Sequence, residues 1–160
     1  MEVIFAIGLI ITALVSSLAL ISFSVSSTTT SRSKIIAIGL SQEGLEIVRS
    51  MRDGNWLQLK RSESNWRDDL NPGIYRVEYD RTQILPYTTA SLYRDSDGFY
   101  FYIDQGARTN SVVTPFQREI TIEHIDTNQL RVISEVKWQE RGRNNTIKAE
   151  TRLYNWMEES

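Results

Sequence analysis

No cysteine occurs in the 160 residues. Disulfide frameworks, thiolate metal sites and cysteine nucleophiles are therefore excluded. A single histidine, His124, removes most nucleophile–base pairs, and its parity with Ile120 and Ile122 makes it a strand-end residue rather than a ligand or base. Only three prolines are present, none before Pro72, so no proline breaks a helix in the first half. Charge of either sign is missing between Glu2 and Arg32. The remainder, residues 32–160, carries 18 basic against 19 acidic side chains, a net of −1. A body this close to neutral gives no electrostatic case for nucleic-acid binding. Phosphate-loop, dinucleotide and zincin patterns are absent. Gly39-Leu40-Ser41-Gln42-Glu43-Gly44 misses the nucleophile-elbow spacing by one residue. Asp95-Ser96-Asp97-Gly98 starts like a calcium loop, but Gly106 stands where the distal acid is needed, so it reads as a hairpin turn. Asn144-Asn145-Thr146 fits a glycosylation pattern that many turns also fit. Neither a cofactor nor a metal is expected, and the chain does not read as an enzyme.

What is present is a long apolar run. Residues 3–25 are all uncharged and follow a lone glutamate, Glu2. At the helical rise they extend about 35 Å, enough to cross a bilayer core of about 30 Å. The run is too long, and lacks the basic start, for a cleaved secretory signal. A carboxylate at its head is costly in a bilayer unless water, the helix N-terminus or a cation offsets it. The sharper expectation is a cation on another subunit.

Beyond the span, Ile36, Ala37, Leu40, Gly44, Ile47, Val48 and Met51 draw an apolar stripe at helical spacing. Lys34, Gln42, Glu46, Arg49 and Asp53 lie off it, with Glu46 and Arg49 placed to pair. The pattern predicts one helix from Glu2 to Asp53, stopped by Gly54. Two parts follow: residues 1–31, the transmembrane half of the helix, and residues 32–160, a helix-plus-sheet domain. Ser and Thr crowd residues 22–33, making that stretch the weakest part of the helix.

The second half reads as β. Asn71-Pro72-Gly73 signals a turn. Residues 74–79 alternate, with Tyr75, Val77 and Tyr79 on one face; residues 91–94 and 99–103 flank the turn at Asp95-Ser96-Asp97-Gly98. Three longer alternating runs occupy residues 116–125, 130–138 and 146–156. Their apolar sets are Phe116, Ile120 and Ile122; Leu130, Val132, Val136 and Trp138; and Ile147, Ala149 and Leu153. Short polar links between them predict an antiparallel meander with one buried face, covered by the amphipathic half of the helix. The fold class expected is α+β.

This architecture resembles the type IV pilins and pseudopilins. Met1-Glu2-Val3-Ile4-Phe5-Ala6-Ile7-Gly8-Leu9-Ile10 is similar to the mature N-terminal motif of that family, Phe-Thr-Leu-hydrophobic-Glu followed by an apolar run, entered at its fourth position. Leu40-Ser41-Gln42-Glu43-Gly44-Leu45-Glu46-Ile47-Val48-Arg49 and Arg52-Asp53-Gly54-Asn55-Trp56 resemble the helix end of small pilin-like proteins, and the last strands resemble those of minor pilins. The resemblance implies a reading frame that continues upstream of Met1 into a basic leader. It implies a non-enzymatic minor pilin or pseudopilin in the cytoplasmic membrane, single-pass, with its C-terminal domain outside. That basic leader outweighs Arg32 and Lys34, which alone would hold the body inside. The implied partners are the bilayer, like or related pilin subunits, a prepilin peptidase and the inner-membrane assembly machinery. Glu2 would pair with a neighbour's N-terminal amine, while Ala6, Ala13, Ser17 and Ala19 would let helices approach closely or simply face lipid. The competing expectation is a monomeric, single-pass anchored binding module.

Overall fold

The computed structural model describes residues 1–59, 65–80, 83–103 and 110–156; Gly106 lies outside the described residues. The chain forms two compact units, Met1–Ile36 and Ala37–Ser160. Among the described residues one helix, α1 (Glu2–Leu59), precedes eight strands: β1 (Gly73–Arg76), β2 (Leu85–Pro86), β3 (Tyr93–Arg94), β4 (Tyr100–Phe101), β5 (Val112–Val113), β6 (Phe116–Asp126), β7 (Gln129–Glu140) and β8 (Arg143–Tyr154). They make a five-stranded antiparallel sheet, β2-β1-β6-β7-β8, and a small three-stranded one, β4-β3-β5.

The helix continues past the expected stop. Gly54 lies inside it, and the last turn reaches Leu59. The reason is Trp56, eight residues beyond Val48 on the same stripe, only 3% exposed and stacked on Trp156 at 5.1 Å. Burying an indole is worth on the order of 3 kcal/mol, against about 1 kcal/mol for a glycine inside a helix. Asn55 adds to this by donating to the carbonyls of Trp66 and Asp68. Through residues 22–33 the helix is continuous, as expected. Hydroxyls there fold back on the helix, Thr28 onto the Ser24 carbonyl and Thr29 onto that of Val25.

The meander is present with longer strands than the alternation suggested. Phe116, Ile120 and Ile122 on β6 and Leu130, Val132, Val136 and Trp138 on β7 are buried. Leu45, Val48 and Trp56 from the helix join Ile120, Ile122, Leu130, Val132 and Leu153 in one cluster. Ile47 and Met51 pack against it only half-buried. The Arg141-Gly142 turn has φ of 51° and 75°, the two left-handed residues of a type I′ hairpin, whose twist suits the strands it joins. Asp95 closes the β3–β4 hairpin by accepting from the Asp97 and Phe99 amides. The alternation read from residue 74 onward fails after β1: Arg76, Val77 and Glu78 are all buried in succession, and Tyr79 is exposed and stacked on Phe99. The pleat ends with the strand, so period-two burial ends too.

Gly44 sets how closely the helix meets the sheet. A Cβ there would stand 2.7 Å from Ile120 Cδ1 and 2.8 Å from Ser134 Oγ. Beside it Ser41 donates to the Ser134 carbonyl at 2.9 Å. Gly39, one turn earlier, is exposed and would meet nothing within 4 Å. The two glycines should therefore respond oppositely. Gly39→Ala should raise stability by up to about 1 kcal/mol through helix propensity. Gly44→Val should lower it by about 2 kcal/mol or more through overpacking. Urea unfolding followed by tryptophan fluorescence checks both.

Candidate assembly site

In the first unit the residues singled out by sequence, Glu2, Ala6, Ala13, Ser17 and Ala19, are all exposed on α1. At about 100° per residue, Glu2, Ala6, Ala13 and Ser17 fall within an arc of about 60°. Ala13 and Ser17 stand one turn apart, a small-xxx-small pair that suits close helix approach. The Ser17 hydroxyl is turned inward onto the Ala13 carbonyl at 2.8 Å, which keeps that face low and apolar. Ala19 is not brought together with the others; it lies more than about 100° away around the helix. Glu2 sits in the first turn, where free N–H groups favour a carboxylate. By length and composition this helix could cross a membrane, and its most apolar stretch is wholly unburied.

In the second unit the residue that sequence reasoning passed over is Arg118, the most deeply buried of the buried arginines. Arg118 continues the inward parity of β6 between Phe116 and Ile120 and is 1% exposed. Its Nη1 donates to the Leu40 carbonyl at 3.1 Å and to Glu43 Oε1 at 3.0 Å, and its Nη2 to the Val77 carbonyl at 2.7 Å. The Tyr102 hydroxyl donates to the Arg118 carbonyl, and the Tyr102 amide to Glu78. The Arg76 guanidinium lies 4.9 Å over the Tyr102 ring. The helix, β6 and the segments that follow β1 and β4 thus meet at one polar knot. The available signal was a basic residue in an otherwise apolar parity, but periodicity could not distinguish it from a slip in the pattern.

His124 does what a strand-end residue does, its Nε2 lying 2.9 Å from the Leu70 carbonyl. Among the described residues no group of three or more acids and histidines is arranged to hold a metal. An open groove of about 610 Å³ has Ile47 and Met51 with Glu43, Glu46, Asp68 and Tyr79 along its walls.

The solvent face of the five-stranded sheet is a lattice of ion pairs. Arg131 reaches Glu123 at 3.3 Å and Glu150 at 2.7 Å. Lys137 reaches Glu119 at 3.2 Å and Glu135 at 3.8 Å, and Glu135 reaches Lys148 at 3.2 Å. The hydrogen bond from Arg131 holds the Glu150 carboxyl below the usual range. No protein-family model, curated protein or solved structure matches the chain.

Burial raises the Tyr102 phenol above its ordinary value, and the nearby Arg118 and Arg76 only partly oppose this. Folding therefore favours the neutral phenol. That contribution is intact below pH of about 10, where the unfolded tyrosine titrates, and is lost as pH rises from there through the higher folded value. Tyr102→Phe should flatten this alkaline loss and cost about 1 kcal/mol at neutral pH. Arg118→Ala should cost about 3–5 kcal/mol, since it strands Glu43 and buried carbonyls. Unfolding midpoints compared between pH 8 and pH 11 test both.

Proposed function

We propose that the chain is a structural subunit, a minor pilin or pseudopilin, of a type IV pilus-like or type II secretion-like filament, assembled through its apolar N-terminal helix. One observation carries the reading. The first unit is a helix whose apolar residues up to Val25 are all exposed, headed by a single first-turn carboxylate whose side shares its arc with Ala6, Ala13 and Ser17. Lipid alone satisfies the apolar surface, but offers Glu2 no cation. Identical or related helices satisfy both, because a neighbour's N-terminal amine can pair with the carboxylate while small residues admit close packing.

The chemistry assigned to Glu2 is positional. An uncompensated carboxylate inside the apolar zone costs a few kcal/mol; paired, it fixes how far one helix slides past another. The bilayer holds the subunit before assembly, with the sheet domain on the extracytoplasmic side. The prepilin peptidase and the inner-membrane assembly machinery are the processing and assembly partners of this reading.

Two outcomes follow. In the full-length precursor, Glu2→Gln and Glu2→Ala should abolish filament incorporation while leaving the tryptophan fluorescence of the sheet domain unchanged. Normal incorporation of both variants would overturn the assembly role of Glu2. In assembled filaments the helix should loosen at residues 22–33, where hydroxyls already compete for backbone carbonyls. Amides there should exchange faster than those of residues 37–47, and the reverse order would reject that site of stretching.

A further inference from the structure

β8 is the outermost strand of the five-stranded sheet and, among the described residues, pairs with β7 alone. It runs for 12 residues without glycine, proline or a shift in register. The opposite edge, β2, has two residues and ends in Pro86, a blunted edge. The type I′ turn makes Glu140 and Arg143 a hydrogen-bonded pair, and at the far end the Asn155 amide donates to the Asn128 carbonyl. Odd-numbered residues of β8 therefore bond to β7, and the backbone groups of the even-numbered residues 144–154 face outward. The Tyr154 carbonyl, one of these, accepts from Arg52.

Two chains of ion pairs cross the solvent face and end on this edge. One runs Glu123–Arg131–Glu150 and ends in an acid; the other runs Glu119–Lys137–Glu135–Lys148 and ends in a base. Opposite charges two residues apart on a strand are complementary to the same strand read backwards. In an antiparallel pair of β8 strands centred on Ala149, Lys148 opposes Glu150 of the second copy, and Glu150 opposes its Lys148. Both ladders then continue across the seam, and outward-facing backbone groups meet in register. A centre at Glu150 would oppose two glutamates and set Lys148 against Arg152. A centre at Thr151 would shorten the paired segment to residues 148–154, whereas Ala149 keeps 144–154. We infer that β8 is a self-association edge, to which a second copy of this chain adds its own β8, antiparallel and centred on Ala149.

The pairing has a directional consequence. Ser41 bonds at Ser134, which lies opposite Ala149, and Arg52 bonds at Tyr154, so the helical residues 41–52 run along β8. A two-fold axis normal to the sheet reverses that direction in the second copy. The pair therefore joins molecules whose helical residues 41–52 point opposite ways.

The chain has no native thiol, so one introduced cysteine reports alone. In the proposed register the two Ala149 residues form a non-hydrogen-bonded pair with Cα atoms about 4.5 Å apart, within disulfide reach. Mild oxidation of the full chain in detergent should give a covalent dimer for Ala149→Cys and none for Asn144→Cys. Lys148→Glu and Glu150→Lys should each weaken self-association measured by sedimentation at least about tenfold, because two attractive pairs become repulsive. An equal mixture of the two variants should associate again, since each supplies the sign that the other lacks. Equal cross-linking at positions 144 and 149, or a mixture no stronger than either variant alone, would overturn the inference.

Discussion

The sheet domain is organised around one buried cation. Arg118 is placed on the inward face of β6, where the neighbouring positions are apolar, and its guanidinium must be satisfied without water. The groups that bond its two terminal nitrogens come from the helix and from the segment after β1. A lysine could not fill this place, because its single ammonium lacks the planar fork that reaches a carbonyl on one side and a carboxylate on the other. The requirement explains other features. Gly44 and Ser41 on the helix face Ser134 on β7, so the helix lies close enough for its Leu40 carbonyl and Glu43 to reach the guanidinium. Tyr102, just after β4, closes the arrangement, at the cost of a phenol held away from water.

The two units solve opposite solvation problems. Residues 37–59 have a partner surface and show the one-sided burial of an amphipathic helix: Ala37, Leu40, Leu45, Val48 and Trp56 are buried while Gln42, Glu46 and Asp53 are not. Residues 3–25 have an apolar surface all round, and it is exposed. A surface of that kind demands another solvent or another helix, which is why the functional proposal rests on the first unit and not on the sheet domain.

The sheet handles its edges unequally. β2 is short and carries a proline, whereas β8 is long and regular. On the solvent face, ion pairs between strands are individually weak because they are exposed and screened by salt. Their value lies in arrangement: alternating signs along each ladder discourage wrong registers more than they stabilise the right one.

How much could be read from the residues depended on whether a pattern was local. The apolar run, the amphipathic stripe, the three long strands and the turn at Asp95-Ser96-Asp97-Gly98 were readable, because helix and strand periods and turn chemistry act over a few residues. The candidate residues of the first unit were readable by type, but only helix geometry shows that Ala19 leaves the arc that Glu2, Ala6, Ala13 and Ser17 share. The end of the helix was misread at Gly54, since the burial of Trp56 against Trp156 depends on a residue 100 positions away. The division into two sheets, the buried Arg118 and the place of β8 at the sheet boundary, among the described residues, were decided by tertiary structure. Each rests on which distant groups meet, and a charge in an apolar parity or a strand at a boundary carries no mark of its neighbour until the chain has folded.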